Sequence, residues 1–152
     1  MVAVLLRQVF DEVFESIQPW LTSAEGQRPE LVLREILRKA AVLLHQHRAI
    51  VRAAHENAHA DPEIGAEWYA IMQRFRSALV AEIEAVRAAG AGPSVADVEL
   101  LSSTLIWSSE RVFYLSTRGV DPTLSSPEAA VEGLLSIWVP AIYGTPHTPS
   151  PT

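Results

Sequence analysis

The sequence predicts an all-α domain of six helices. Apolar residues recur three and four positions apart through six windows, as the buried stripe of a helix requires. Gly, Pro, Asp and Ser separate those windows at positions that start or stop helices. No stretch alternates apolar with polar residues as a half-buried strand would, and no segment repeats. At 152 residues, 49% hydrophobic and 20% charged, the chain has the size and composition of one globular domain with a real core.

The first helix is expected over residues 2–21, where Leu6, Val9, Phe10, Val13, Ile17 and Trp20 keep helical spacing. Nothing caps its start, so it reads as a helix entered midway, as if an upstream domain preceded it. A frayed N-terminus is the plainer alternative. A loop with Gly26 follows at 22–28. Pro29 then suits a first helical position, and the second helix runs to Gln46 with Leu33, Ile36, Leu37, Ala40, Leu43 and Leu44 as its buried face. A short Ala-rich helix is expected over 48–59. Asp61 and Pro62 form an N-cap and N1 pair opening a long helix over 62–89, whose stripe is Ile64, Trp68, Met72, Phe75, Leu79, Ile83 and Val86. The segment 90–93 ends it. Ser94 with Asp97 is a capping-box pattern for the fifth helix, which Gly119 stops. Ser126, Pro127 and Glu128 open the last helix, Pro140 is expected to kink it, and Gly144 ends it. The domain is thus 1–144, and 145–152 is a Pro-rich tail expected to be disordered.

The last two helices carry more apolar surface than one core can hide. Residues 97–115 read DVELLSSTLIWSSERVFYL and residues 129–143 read AAVEGLLSIWVPAIY. A packed helix needs only one apolar stripe. Neither stretch has the roughly 18 uninterrupted apolar residues of a membrane span, so no membrane partner is expected. The simplest home is a core on one side and a second subunit on the other: a homodimer through the last two helices, with Leu135 among the outward residues.

Composition excludes several functions. The net charge is −6, with one lysine, Lys39, and no basic stripe, which opposes DNA binding by this domain alone. There is no cysteine, so thiol chemistry and disulfides are absent. No signal peptide is evident, so a cytoplasmic location is the default. His55 and His59 share a helix face, but no third metal ligand stands at recognisable spacing, and no cofactor is expected. Neither a nucleophile elbow nor a phosphate-binding loop is present, so the chain is not read as an enzyme. Glu110 and Arg111 interrupt an apolar helix and must be paired or exposed. They would serve to fix a pocket's shape, to set dimer register, or simply as a rim ion pair.

LLSIWVPAIYG at the C-terminus resembles the closing helix of the TetR family of transcriptional regulators, in the branch containing the ethionamide-resistance repressor. SSERVFYLS, Glu67-Trp68 with Met72-Gln73 and Phe75, and His47-Arg48-Ala49-Ile50-Val51 resemble segments of the same branch, collinear from Ala3 to Gly144. The resemblance implies the family's effector-sensing and dimerisation domain, most simply of a repressor. The family's N-terminal helix-turn-helix is not matched, so DNA would be reached only through that missing domain. A small apolar effector is implied, in a pocket between the second, fourth and fifth helices. Carried over by position, its walls would be Leu33, Leu37, Ala40 and Leu44; Trp68, Met72, Phe75 and Leu79; Ile106, Ser109 and Tyr114; and Trp138. By spacing alone the same stripes read as packed core. In this branch two amide side chains on the fifth helix anchor the ligand. This chain has Ile106 and Ser109 there, which implies a greasier pocket or other donors such as Tyr114 or Ser108. The alternative reading is a stand-alone helical ligand-binding or protein-interaction module.

Overall fold

The structure is a computed structural model that describes residues 1–22, 28–93 and 97–149. Its helices are α1 (Val2–Thr22), α2 (Pro29–Gln46), α3 (Arg48–Asn57), α4 (Pro62–Ala88), α5 (Val98–Arg118) and α6 (Pro127–Tyr143), with one turn of 3₁₀ helix at Pro122–Leu124. No strand occurs among the described residues. The all-α, six-helix expectation is borne out. The loop expected at 22–28 and its Gly26 fall almost wholly outside the described residues, as do the Trp20 side chain and Ser94.

Local chemistry sets the helix ends. Asp61 Oδ1 accepts from the amides of Glu63 and Ile64, and Pro62 occupies the first turn of α4, so two otherwise orphaned positions are satisfied. Asp97 caps α5 through the Leu100 amide. Ser126 Oγ accepts from Ala129 N at the start of α6, ahead of Pro127. Gly119 and Gly144 close α5 and α6 in the left-handed conformation, φ 62° and 70°, which a Cβ would resist. Pro140 lies inside α6 without ending it: the helix runs on to Tyr143, and the Gly144 amide reaches back to the Pro140 carbonyl. The third helix stops at Asn57, two residues short of its expected end, because the chain turns there toward the Asp61 cap.

α1 packs on α2, α3 and α4; α2 also meets α6; α5 lies between α4 and α6. The core joins all six helices through Leu6, Val13, Ala41, Ala54, Ile83, Leu105, Leu134 and Val139. α1 supplies Ala3, Leu6, Val9, Phe10, Val13 and Ile17 to it, as its spacing predicts. Serines 102, 109 and 116 are also buried, seven residues apart on one face of α5.

Leu135 corrects the expectation for α6. It is 0% exposed, so it faces the domain's own core and not outward. The outward face of α6 is Gly133, Ser136 and Ile137, of which Ile137 is 55% exposed. Leu100, Thr104, Trp107 and Ser108 are the exposed counterparts on α5. Most of the surplus apolar surface is core, and the outward remainder is smaller than the sequence suggests. Beyond Gly144 the chain makes a polar contact: His147 lies between Glu30 of α2 (Nδ1–Oε1 3.0 Å) and Glu132 of α6 (Nε2–Oε2 2.9 Å). Arg34 pairs with the same Glu132.

Candidate functional site

Two small apolar cavities lie end to end through the middle of the domain. The first has a volume of about 100 Å³ and the second about 90 Å³. Ile17, Ile36, Phe75, Ile106 and Trp138 border both, so they form the partition between them.

Ten of the twelve expected wall residues line the first cavity: Leu37, Ala40 and Leu44 from α2; Trp68, Met72 and Phe75 from α4; Ile106, Ser109 and Tyr114 from α5; and Trp138 from α6. Leu33 and Leu79 belong to the second cavity, beyond the partition, with Val32, Ala78 and Ile142. The expected three-helix frame is too narrow. α1 contributes Phe10, Val13 and Ile17, and α3 contributes Val51, so the first cavity touches every helix.

The seating of α1 explains this. Phe10 meets Trp68 edge-on with ring centres 5.7 Å apart, and Phe75 at 6.1 Å. Phe14 lies 5.5 Å from Phe75, and the Arg74 guanidinium sits 3.8 Å over the Phe14 ring. Edge-to-face contacts of this kind fix ring orientation as well as burying area. Around them Arg7 pairs with Glu67 (2.6 Å), Arg74 with Asp11 (2.5 Å) and His47 with Glu12 (3.0 Å). The Arg7 guanidinium holds the Glu67 carboxyl below the usual carboxylate range.

The polar groups of the first cavity are few and mostly engaged. Ser109 Oγ donates to the Leu105 carbonyl (2.8 Å) and accepts from Trp138 Nε1 (3.0 Å). Thr117 donates to the Tyr114 carbonyl. Ser108 points away from the cavity: it is exposed and bonded to Thr104 O, which removes it as a ligand donor. Tyr114 does line the cavity, with its ring stacked on His55 at 3.8 Å.

Glu110 is the exception. Its side chain is only 10% exposed, yet it lines the cavity. Oε1 takes a hydrogen bond from His55 Nδ1 at 3.0 Å, and Arg111 donates to His55 Nε2 at 3.2 Å. Burial pushes the Glu110 carboxyl above its ordinary range, against the pull of His55 and Arg111. Glu110 and Arg111 are thus bridged through a histidine from α3. The sequence signal was the charge inside an apolar helix; the partner, 55 residues away, left none.

At its far end the second cavity meets Glu82 and Tyr143, whose hydroxyl donates to Glu82 Oε1 at 3.4 Å. Burial, reinforced by the Glu82 carboxylate, raises the Tyr143 phenol well above its usual range. Among the described residues no three His, Asp or Glu side chains are grouped to hold a metal, and no helix is long and apolar enough to cross a membrane.

No curated protein matches the chain. The family described as the C-terminal domain of the transcriptional regulator EthR matches residues 33–144. The matched stretch takes in most of α2, all of α3 to α6 and the Gly144 cap, and so most of both cavity walls. The chain therefore belongs to this family, the EthR type of TetR regulator C-terminal domain.

Proposed function

We propose that this domain senses a small, mostly apolar effector in the cavity between its helices, and that it works in the cytoplasm as the dimerisation and signal-receiving part of a TetR-type repressor. The observation that carries the reading is that α1 shares the cavity: Phe10, Val13 and Ile17 stand opposite Trp68, Met72 and Phe75. In a regulator of this type, α1 is the element through which the ligand would reach a DNA-reading head. A ligand entering the space must press on α1 or relieve its contacts. The ion pairs around α1 are largely exposed and screened by water, so they oppose a change of its angle only weakly. Coupling requires a ligand that prefers one setting of α1, because equal affinity for both shifts nothing.

The size of the cavity limits the ligand. Drug-sized ligands occupy roughly 300–1,000 Å³, several times either cavity. A small apolar molecule fits as the domain stands, and a larger one requires the Phe75–Trp138 partition to move. The dimer face proposed is the uncharged outer strip of Leu100, Thr104, Trp107 and Ser108 with Gly133, Ser136 and Ile137, giving a four-helix bundle between subunits.

Thermal unfolding across a library of apolar fragments tests the reading. A fragment at about 100 times its dissociation constant stabilises the fold by about 2.7 kcal/mol. For a domain of this size that is a rise of roughly 5–11 °C. Ala40→Phe places a ring in the cavity and should abolish the rise while the domain stays folded. If no fragment gives a saturable rise, or if Ala40→Phe unfolds the chain, the space is ordinary core and the reading fails.

A further inference from the structure

The cavity wall holds one carboxyl side chain among the described residues, and that side chain is half-used. Glu110 is nine-tenths buried, and His55 occupies only its Oε1. Among the described residues no donor meets Oε2. The other polar groups on the wall are mostly engaged: the Ser109 hydroxyl both donates and accepts, Thr117 bonds the Tyr114 carbonyl, and the Tyr114 hydroxyl accepts from Arg118 at 3.4 Å. An ionised carboxylate only accepts hydrogen bonds, and a buried one attracts a cation far more strongly than it would in water. We infer that the effector is a small amine, its apolar body against Trp68, Met72 and Phe113 and its protonated nitrogen on Glu110.

The nearby cations have partners of their own. The nearest cation, Arg111, lies on the outer side of the His55 ring, where it is exposed to solvent and bonded to Nε2. Arg118 is held by Glu56 at 2.7 Å. His55 lies on the Oε1 side of Glu110, 3.0 Å away through Nδ1. The stack of His55 on Tyr114, with Trp68 edge-on at 6.0 Å, closes this end of the cavity with aromatic surface. The Tyr114 ring also lies near the Arg111 and Arg118 guanidiniums, 5.5 and 5.9 Å from its centre. A carboxylic acid of the same shape would bring a second negative charge beside Glu110, and an alcohol would donate a hydrogen bond without bringing a positive charge.

The inference rests on the cavity being a ligand site, and the experiment separates the two. Isoamylamine, isoamyl alcohol and isovalerate share one small branched apolar body. Their affinities for the full chain and for Glu110→Gln would be measured by calorimetry at neutral pH, where the amine is protonated and the acid ionised. In the unmodified chain the amine should bind about tenfold or more tightly than the alcohol, and isovalerate most weakly, since the amine brings a charge opposite to the carboxylate's and isovalerate a like one. Glu110→Gln should shrink the amine's advantage to about twofold or less and change the alcohol's affinity far less. If the alcohol binds and the amine binds no better, the inference falls while the cavity reading stands. If none of the three saturates, both fall. The series on the unmodified chain decides the matter alone should Glu110→Gln not fold.

Discussion

Ser109→Ala is the substitution whose effect the geometry specifies most fully. The hydroxyl sits 6% exposed on α5 and accepts from Trp138 Nε1 at 3.0 Å while donating to Leu105 O. Alanine removes the acceptor and leaves the indole N–H of a buried tryptophan without a partner. Stranding a buried donor costs about 1–3 kcal/mol. The carbonyl of Leu105 keeps its helical bond, and alanine is a better helix former by a few tenths of a kcal/mol, which offsets a little of the loss. Water does not rescue the indole, since a buried water needs two to four polar partners and the wall here is almost wholly apolar. The net loss expected is about 1–2 kcal/mol, a fall in Tm of roughly 2–8 °C for a domain of this size. Calorimetric unfolding of Ser109→Ala, Trp138→Phe and the double variant would isolate the bond, with a coupling of about 1 kcal/mol between the two sites. Because the hydroxyl is already spent on Trp138, Ser109→Ala should leave the affinity for apolar ligands within about twofold. An unchanged or raised Tm, or a coupling near zero, would refute the bond's role in bracing α5 against α6. A collapse of ligand affinity in a folded variant would refute the assignment of Ser109 as scaffold.

Three further outcomes follow from burial and charge. Ile137→Glu, on the outer face of α6, should give a folded monomer by light scattering, whereas Leu135→Glu should unfold the chain, because burying an unpaired charge in the core costs several kcal/mol. Partial burial, aided by Arg48, holds His45 below its ordinary value of 6.5, so the unfolded chain takes up this proton first; stability from His45 is complete above about pH 6.5 and declines as the pH falls below it, a decline that denaturant titrations of His45→Gln should lack. Glu110 acts in the opposite sense: its raised carboxyl favours the protonated form in the folded state, so stability is lost as the pH rises from about 4.5 through the folded value, and Glu110→Gln should flatten the stability profile over that range.

The helix ends were largely legible because the chemistry that sets them is local. Asp61–Pro62, Ser126–Pro127, Gly119 and Gly144 cap and stop helices through bonds to residues within four positions. The cavity was legible only in part. Periodicity tells which face of a helix is buried but not what it faces, so α1 passed for plain core although Phe10, Val13 and Ile17 close the cavity. Leu33 and Leu79 sit one turn beyond Leu37 and Phe75 on the right faces, yet the partition puts them in the second cavity. In α6 nearly every face is apolar, so the pattern did not distinguish inward Leu135 from outward Ile137. The resemblance placed Ser109 on the wall, but its bonding was illegible: it satisfies its polarity inside its own helix and through Trp138, which no residue spacing reveals.

The chain's two methionines offer the most direct test of the central claim that the cavity is a ligand site. Met72 lines the first cavity and is 5% exposed, whereas Met1 is 93% exposed. With both methyl groups labelled with carbon-13, an NMR titration with isoamyl alcohol or a small apolar fragment reads the cavity and an internal control in one spectrum. The Met72 signal should move saturably while Met1 stays fixed, and in Ala40→Phe the Met72 signal should no longer respond. A Met72 signal unmoved at saturating ligand, or one that moves only in step with Met1, would contradict the account.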